Sequence, residues 1–228
     1  MIDTILWDVD ATLLNFEKAE SYAIRKCFEG FGFGECTDEM LASYSAVNSA
    51  YWRRLELGEL SKAQVLSGRF LEFFQSYGIP TDKVSDFNLS YQVHLGDEVF
   101  FNDNALHVLN ALKGRVRQYA VTNGTKLAQD RKLERSGIAK IMDGIFISEV
   151  VGAEKPSRDF FRSVWQDIGR YDPCATMIVG DSLTSDMQGG NNEGIICCWY
   201  NPQGKPNATP LKIDYEIPCL DEVIRIVG

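Results

Sequence analysis

The chain has 228 residues, 45% of them hydrophobic, and a formal net charge of −9 at pH 7. This size and apolar fraction predict a folded chain with one large core and room for a smaller second module. The negative charge argues against binding to a nucleic acid polymer or an anionic membrane, which requires clustered Lys and Arg, but it is compatible with a small phosphorylated substrate.

The six cysteines are predicted to be reduced thiols, because they show neither a C-x-x-C pair nor a regular spacing. The N-terminal residues lack the basic and apolar regions of a signal peptide, and no apolar run reaches the length of a membrane span. We therefore predict a cytoplasmic protein without a membrane partner. Two histidines and no G-x-S-x-G motif argue against a Ser-His-Asp hydrolase.

The first predicted element is a strand that ends in two carboxylates. The apolar run of residues 5–7 leads into Asp8 and Asp10. Alternate side chains of a strand point to the same side, so both carboxylates are expected close enough together to share a metal ion and a substrate. A simple turn, in which Asp is common, is the alternative interpretation.

Residues 16–99 show helical patterns and no strand signal, which predicts four helices. Their predicted N-caps are Asn15, Thr37 or Asp38, Ser61 in a capping box with Gln64, and Thr81 or Asp82. Short loops between helices predict a small bundle. We interpret residues 16–99 as a helical cap domain inserted into a core domain of residues 1–15 and 100–228.

From residue 100 onward, helix and strand patterns alternate. Strands are predicted at 116–121, 144–147, 176–179 and 195–200, with an edge strand at 213–217, and helices at 105–112, 127–136, 159–168 and 186–193. This alternation predicts an α/β fold with a doubly wound parallel sheet. Such sheets bind ligands beyond the carboxyl ends of their strands, where the strand order reverses.

The predicted strands after the first also end in polar residues. Thr122, Asn123 and Gly124 precede a helix, where a hydroxyl and free amides can bind an anion. Lys155 follows the third strand, and Asp181 and Asp186 follow the fourth. Each has an ordinary explanation alone, as a capped turn, a solvated lysine or a helix cap. Their joint placement on successive strand ends predicts one site.

These motifs together resemble the haloacid dehalogenase-like (HAD) superfamily. In chain order they are Asp8-x-Asp10-x-Thr12, Thr122-Asn123-Gly124, Lys155-Pro156 and Gly180-Asp181-x-x-x-x-Asp186. The resemblance covers the whole chain and implies a Rossmann-like core with an all-helical cap. Segments 48–52, 67–70 and 147–152 are similar to the noncanonical pyrimidine 5'-nucleotidases. Ala11 departs from the family pattern, in which many members carry Gly.

The resemblance implies a Mg²⁺-dependent phosphatase that acts through an aspartyl-phosphate. Asp8 would be the nucleophile, and Asp10 would be the general acid and base. Asp8, the backbone carbonyl of Asp10, and Asp181 would bind Mg²⁺, which prefers oxygen ligands. Asp186 would orient a metal-bound water or the lysine.

The resemblance also implies a phosphate-binding set around the nucleophile. Thr122, the amides of Asn123 and Gly124, and Lys155 would hold the phosphate oxygens. Thr12 would form a hydrogen bond within the first loop and fix the Asp8 carboxylate.

The cap is expected to select the substrate, and the expected substrate is a nucleoside monophosphate. Asn48 would bond to a base edge, and Trp52 and Arg69 would stack on the base or bond to it. Tyr44 and Phe70 offer further flat groups. Aromatic residues at helical spacing also form bundle cores, and Arg69 would equally serve a structural ion pair.

Several other functions are compatible with the same motifs. A phosphatase acting on phosphoglycolate or a sugar phosphate is the nearest, and a phosphoglucomutase-like transferase or a non-catalytic binder of phosphorylated ligands uses the same core. A dehalogenase is disfavoured, because attack on carbon requires neither a metal ion nor Asp10. The sequence gives no indication of the oligomeric state.

Overall fold

A six-stranded parallel sheet forms the centre of the protein. Its strands are β1 (Thr4–Trp7), β2 (Arg117–Thr122), β3 (Gly144–Ile147), β4 (Thr176–Gly180), β5 (Ile196–Tyr200) and β6 (Tyr215–Ile217). Their order is β3-β2-β1-β4-β5-β6, and every neighbouring pair is parallel. The computed structural model describes all 228 residues.

This strand order confirms the predicted doubly wound α/β fold. The chain runs from β1 to β2 and β3 on one side, and then crosses to β4 on the other side of β1. The order therefore reverses between β1 and β4, the position where such sheets bind ligands. Trp7 pairs with Ala120 of β2 and Val179 of β4, so these three strands end at nearly the same level.

The structure has ten helices, of which four form the cap and six belong to the core domain. Those of the cap are α1 (Phe16–Phe31), α2 (Asp38–Glu56), α3 (Lys62–Tyr77) and α4 (Val84–His94). The others are α5 (Ala105–Leu112), α6 (Lys126–Arg135), α7 (Ser148–Val151), α8 (Arg158–Ile168), α9 (Gln188–Glu193) and α10 (Glu222–Val227). A π-helical turn, Leu183–Met187, precedes α9.

The two faces of the sheet bury separate apolar clusters. Ile5 and Trp7 of β1 point to a cluster of 23 buried residues that includes α5 and α10. Leu6 points to the opposite face, into a cluster of 12 buried residues with Phe160 and Phe161 of α8. The alternation along β1 is the two-residue period of a strand whose faces are both buried.

The cap has an apolar core of its own, a cluster of 15 buried residues. Seven of the fifteen are aromatic, and their rings pack against one another, such as Tyr44 stacked on Phe70 with ring centroids 5.0 Å apart. Both side chains are fully buried. Tyr44 and Phe70 therefore belong to the bundle core, as the structural interpretation of these aromatics expected.

Three of the four predicted cap-helix starts are confirmed by side-chain hydrogen bonds. Asn15 accepts from the Lys18 amide, and Thr37 rather than Asp38 accepts from the Met40 amide. The capping box at Ser61 has both of its hydrogen bonds. The predicted start of the fourth helix is too early, because a short 3-10 turn precedes α4.

The cap enters and leaves the core through two paired segments. Leu14 and Phe101 form an antiparallel bridge. The Asn15 amide donates to the Phe100 carbonyl, and the Asn102 amide donates to the Leu13 carbonyl. The two connections therefore lie side by side.

The patterns did not predict α7 and α10. Helix α7 has only four residues, which is too short for a helical period to be visible. Helix α10 has six residues and buries Val223 and Val227 against the sheet. None of the helices has both the length and the apolar character that crossing a bilayer requires.

Candidate active site

The carboxyl ends of β1, β2 and β4 open into a cavity of about 460 Å³ beneath the cap. We call it the large cavity. The predicted site residues that line it are Asp8, Asp10, Asn48, Trp52, Thr122, Asn123, Gly124, Lys155, Asp181 and Asp186. Thr12 and Arg69 are the two predicted residues outside its lining. The fold thus brings together groups from both ends of the chain.

Three carboxylates form a cluster in this cavity. Asp8, Asp181 and Asp186 each offer an oxygen atom, and these atoms lie within 4.8 Å of one another. Asp8 follows β1 directly, while Asp181 and Asp186 come after the neighbouring strand β4, which explains their convergence. Carboxylate oxygens are the ligands that Mg²⁺ prefers, so this carboxylate cluster could hold such an ion.

Lys155 bridges two members of the carboxylate cluster. Its Nζ lies 2.8 Å from Asp8 Oδ1 and 2.7 Å from Asp186 Oδ1, and it also donates to the Val121 carbonyl at 2.7 Å. The side chain is fully buried. Burial alone would lower the pKa of Lys155, but the charges of Asp186 and Asp8 outweigh it and raise that pKa. Lys155 is therefore a fixed positive charge.

All three carboxylates of the cluster have raised pKa values, so the protonated forms are favoured. Burial raises the pKa of Asp8 to about 7, against the opposing effect of Lys155 and with a further increase from Asp186. Burial also raises the pKa of Asp186, and it raises that of Asp181 well above its usual value, with Asp8 and Asp186 adding to the effect on Asp181. A bound cation would relieve this repulsion.

One oxygen of Asp8 has no hydrogen-bond partner. Asp8 Oδ1 accepts from Lys155, whereas Oδ2 is buried and unpaired. An unpaired buried acceptor costs about 1 to 3 kcal/mol, and active sites are where such atoms persist. The free oxygen is open to a ligand, and the oxygen-only donor set of the carboxylate cluster fits a hard cation.

Asp10 lines the same cavity, but its side chain bonds outside the carboxylate cluster. Asp10 Oδ1 lies 2.6 Å from Lys132 Nζ, and Asp10 Oδ2 accepts from Gln129 Nε2 at 2.6 Å. Both partners belong to α6. β1 ends at Trp7, so Asp8 and Asp10 both follow the strand, and both line the large cavity although their carboxylates have different hydrogen-bond partners.

Ala11, the residue after Asp10, lies in the left-handed region of backbone conformation, with φ of 67°. A residue with a Cβ atom adopts this conformation at a cost of about 1 to 2 kcal/mol, which explains why glycine is the usual choice. Ala11 is partly exposed at the wall of the large cavity. An alanine at this position, where many family members have glycine, therefore strains the backbone and does not crowd a neighbouring residue.

The segment at the end of β2 makes local hydrogen bonds of its own. Gly124 N donates to Thr122 Oγ1 at 3.1 Å, so this amide is already paired. The Asn123 side chain bonds to both the amide and the carbonyl of Lys155, at 2.8 and 2.9 Å. A Cβ atom on Gly124 would lie only 2.2 Å from Gln129 Nε2. Asn123 thus positions the lysine, and Gly124 leaves room for Gln129.

Thr12 does not make the hydrogen bond predicted for it. The residue is fully buried, its Oγ1 has no partner, and only its carbonyl is bonded, by Asn102 Nδ2 at 3.0 Å. Thr12 is also not among the residues that line the large cavity. The predicted fixing of the Asp8 carboxylate is provided by Lys155.

Asn48 and Arg69 are joined in a buried network of the cap. Arg69 Nη1 donates to Asn48 Oδ1 at 2.8 Å, and Arg69 Nη2 donates to Asn88 Oδ1 at 3.0 Å. Asn48 Nδ2 donates to Glu20 Oε1 at 2.7 Å. These bonds tie Arg69 into the cap through Nη1 and Nη2 and leave its Nε without a partner. Trp52 lies beside it, with the guanidinium 5.9 Å from the ring centroid.

Glu56 of α2 connects the cap to the loop that carries Asp181. Its Oε2 accepts from Ser182 Oγ at 3.2 Å and from Thr184 Oγ1. Burial raises the pKa of Glu56. No motif in the sequence signalled this residue, because its partners lie more than a hundred positions away and are themselves ordinary loop residues.

Comparisons with known proteins agree with this geometry. A family model of haloacid dehalogenase-like hydrolases matches residues 2–194. The putative HAD-hydrolase YfnB of Bacillus subtilis is 34% identical over 99% of this chain and 95% of its own. Its crystal structure bound to magnesium superposes with a TM-score of 0.94, covering 100% of this chain and 99% of that chain.

Two further relatives carry a named activity. The pyrimidine 5'-nucleotidase PynA of Streptococcus pneumoniae is 34% identical over 96% of this chain and 95% of its own. The pyrimidine 5'-nucleotidase YjjG of Escherichia coli is 26% identical over 99% of this chain and 97% of its own.

Proposed function

The chain belongs to the haloacid dehalogenase-like hydrolases, and we propose that it is a Mg²⁺-dependent phosphatase that cleaves nucleoside 5'-monophosphates through an aspartyl-phosphate. The observation that carries this proposal is the buried, unpaired Oδ2 of Asp8 beside Lys155 and two further carboxylates. A small phosphorylated metabolite is therefore the expected partner.

Asp8 is the nucleophile in this proposal. Lys155 holds Oδ1 and thereby fixes the carboxylate, while Oδ2 has no competing hydrogen bond. Attack of Oδ2 on phosphorus forms an acyl phosphate and expels the nucleoside 5'-oxygen. Water then hydrolyses the acyl phosphate, so that one slow reaction becomes two faster steps.

Asp8, Asp181 and the backbone carbonyl of Asp10 are the proposed Mg²⁺ ligands. Bound there, Mg²⁺ would neutralise the carboxylates and the phosphate so that two anions can approach each other. Asp186 holds Lys155 through Oδ1, and its Oδ2 accepts from the Ser182 amide at 3.1 Å. These two bonds support the prediction that Asp186 orients its neighbours rather than the substrate.

Lys155, Thr122 and the amide of Asn123 are proposed to bind the phosphate oxygens. At about 4 Å and an effective dielectric near 20, one lysine–phosphate pair contributes roughly 4 kcal/mol. This local charge offsets the acidic surroundings.

Asp10 is proposed as the general acid and base. It would protonate the leaving 5'-oxygen and later take a proton from the attacking water. Lys132 and Gln129 hold its two oxygens in place at 2.6 Å each. Asp10 must exchange one of these partners for the substrate during the reaction.

The substrate class rests on the large cavity and on the relatives. A volume of about 460 Å³ is within the range of small-molecule sites. Phe16, Asn48 and Trp52 line the wall beyond the phosphate groups, where a nucleoside would lie. Both named relatives, PynA and YjjG, are pyrimidine 5'-nucleotidases.

Phosphate release from a panel of substrates tests the proposal. The purified protein is stripped with a chelator and assayed with and without Mg²⁺ on uridine, thymidine and adenosine monophosphates, phosphoglycolate and glucose 6-phosphate. We expect Mg²⁺-dependent release with uridine or thymidine monophosphate preferred. Preference for phosphoglycolate or glucose 6-phosphate would remove the nucleotide assignment, and no release from any substrate would indicate a non-catalytic binder.

Trapping with hydroxylamine tests the covalent step separately. An aspartyl-phosphate at Asp8 reacts to give a hydroxamate that mass spectrometry detects on the peptide containing residue 8. An unmodified peptide from protein that is turning over substrate would contradict the covalent route.

A further inference from the structure

A second, smaller cavity of about 30 Å³ lies between the cap and the core, next to the large cavity. The two cavities share Asp10, Phe16, Trp52 and Gly124 in their walls. Arg69 lines the cap side of the small cavity, and α6 lines the core side. The two cavities are therefore separated by no more than these shared residues.

Three buried polar atoms without a hydrogen-bond partner belong to residues that line the small cavity. They are Arg69 Nε, Thr125 Oγ1 and Gln129 Oε1. Each residue is at most 4% exposed. Buried polar atoms are almost always paired, so three unpaired atoms on side chains that line one cavity point to a polar partner there.

The chemistry of these atoms defines what the occupant must offer. Arg69 Nε carries a hydrogen and can only donate. Gln129 Nε2 donates to the Asp10 carboxylate at 2.6 Å, which fixes the amide orientation and leaves Oε1 as an acceptor. The Thr125 hydroxyl can do either. The occupant must therefore present an acceptor and a donor together.

We propose that the small cavity receives the hydrogen-bonding edge of the substrate's base, with Arg69 Nε donating to it and Gln129 Oε1 accepting from it. This inference rests on the proposed nucleotidase function. Uracil and thymine offer a carbonyl oxygen beside the N3–H group, and cytosine offers N3 beside its amino group. A pyrimidine edge thus supplies the acceptor and the donor that the cavity requires.

The volume of the small cavity limits how much of a base can enter it. About 30 Å³ has room for one or two waters. The polar edge of a single ring replaces those waters without loss of hydrogen bonds. The larger double ring of a purine would require the cap to move further from α6.

This proposal places specificity in the core as well as in the cap. Thr125 and Gln129 lie at the start of α6, immediately after the segment proposed to bind phosphate. The sequence suggested that only cap residues contact the base. Gln129 also bonds to Asp10, so one side chain would contact both the base and the proposed general acid.

Three substrates that share the 5'-phosphate test the proposal without any mutation. Uridine monophosphate carries the full base edge, 3-methyluridine monophosphate lacks the N3–H donor, and ribose 5-phosphate lacks the base. We expect kcat/KM to fall about tenfold to hundredfold on N3 methylation. Equal kcat/KM for uridine and 3-methyluridine monophosphates would overturn the role of Gln129.

Two variants test the other atoms. Thr125→Val removes the hydroxyl at nearly constant shape. Arg69→Met removes the whole guanidinium, including Nε and the groups that donate to Asn48 and Asn88, but keeps an apolar stem. We expect each to lower the ratio of kcat/KM for uridine monophosphate over ribose 5-phosphate about tenfold, with little change for ribose 5-phosphate. Ser76→Ala, at an exposed position of α3, is the control and should keep the ratio.

The outcomes separate this inference from the proposed function. A wild type that cleaves ribose 5-phosphate as well as uridine monophosphate overturns the nucleotidase assignment itself. A wild type that prefers uridine monophosphate, with the ratio unchanged in Thr125→Val, overturns only the small-cavity proposal. Melting temperatures identify an Arg69→Met protein that fails to fold, and in that case Thr125→Val and the methylated substrate decide.

Discussion

The two oxygens of Asp8 have different environments, and this difference makes a clear prediction. Asp8→Asn keeps an oxygen that can accept from Lys155 but removes the nucleophile. We expect turnover to fall by at least about a thousandfold, with the melting temperature close to that of the wild type. Asp159→Asn, on the exposed face of α8, is a matched control that should keep full activity. Residual activity above about a hundredth of wild type would contradict the nucleophile role.

Asp10 should behave differently from Asp8. In Asp10→Asn the side chain loses the ability to protonate the leaving oxygen, while Asp8 stays intact. We expect a large loss with a nucleoside monophosphate and a much smaller one with nitrophenyl phosphate, whose leaving group needs no protonation. Steady-state kinetics on both substrates make the comparison. Equal losses on the two substrates would show that Asp10 is not the acid.

Ala11 offers a prediction about stability instead of chemistry. Its φ of 67° is unfavourable for any residue with a Cβ atom. Ala11→Gly removes this strain but gives the unfolded chain more freedom, so we expect a net gain in the free energy of unfolding of about 0.5 to 1 kcal/mol. Chemical denaturation measures it. A loss of stability would show that the turn carries no strain.

At the scale of helices and strands, the contact between α2 and the loop after β4 holds the cap on the core. Glu56→Ala removes the acceptor for the hydroxyls of Ser182 and Thr184. We expect the free energy of unfolding to fall by about 1 to 3 kcal/mol, because the two hydroxyls lose the carboxylate acceptor that ties them to the cap and keep only their bonds within the loop. Thermal or chemical unfolding checks this.

Glu59→Ala is the control for that experiment. Glu59 pairs with Arg54 at the surface, with both side chains about half exposed. Exposed ion pairs contribute about 0 to 1 kcal/mol, so this variant should remain near wild-type stability. Equal losses in the two variants would remove Glu56 as a specific link between cap and core.

Elements with strong local signals could be predicted from the sequence. The strand runs and the caps at Asn15 and Ser61 were predicted within a few residues, because apolar periodicity and capping chemistry act over short distances. The alternation of helix and strand after residue 100 gave the sheet and, through it, the convergence of Asp8 with Asp181. The roles of the site residues themselves stay predictions.

The side-chain partners within the site could not be predicted. Gln129 and Lys132 bond to Asp10 across 119 and 122 positions, and Glu56 bonds to Thr184 across 128. Nothing local distinguishes these residues from ordinary helical polar groups. Their roles depend on how α6 and α2 pack over the strand ends, and a single sequence does not contain that information.

For the whole molecule, the raised pKa values of the carboxylate cluster couple stability to pH and to Mg²⁺. The pKa of Asp8 is about 7 in the folded protein, compared with about 4 in an unfolded chain. Between these pH values the folded state binds more protons than the unfolded state. The metal-free protein should therefore lose stability as pH rises through about 7.

Mg²⁺ should reverse this trend, because it binds the ionised carboxylates. At a hundredfold excess over its dissociation constant, a ligand adds about 2.7 kcal/mol, which for a chain of this size raises the melting temperature by roughly 5 to 10 °C. We expect a larger shift at pH 8 than at pH 5, measured by thermal denaturation, and no shift in Asp181→Asn. A shift of equal size at both pH values would indicate that Mg²⁺ binds elsewhere.

The paired connections at Leu14 and Phe101 have a consequence for how such a protein can be rebuilt. Because the cap leaves and rejoins the core at adjacent points, its removal would leave a gap that a short loop could close without disturbing β1 or β2. Insertions with neighbouring ends are the kind that folded proteins tolerate best. We expect residues 16–99 to be exchangeable as a unit, so that a different cap could be joined to the same core without changing the residues of the active site.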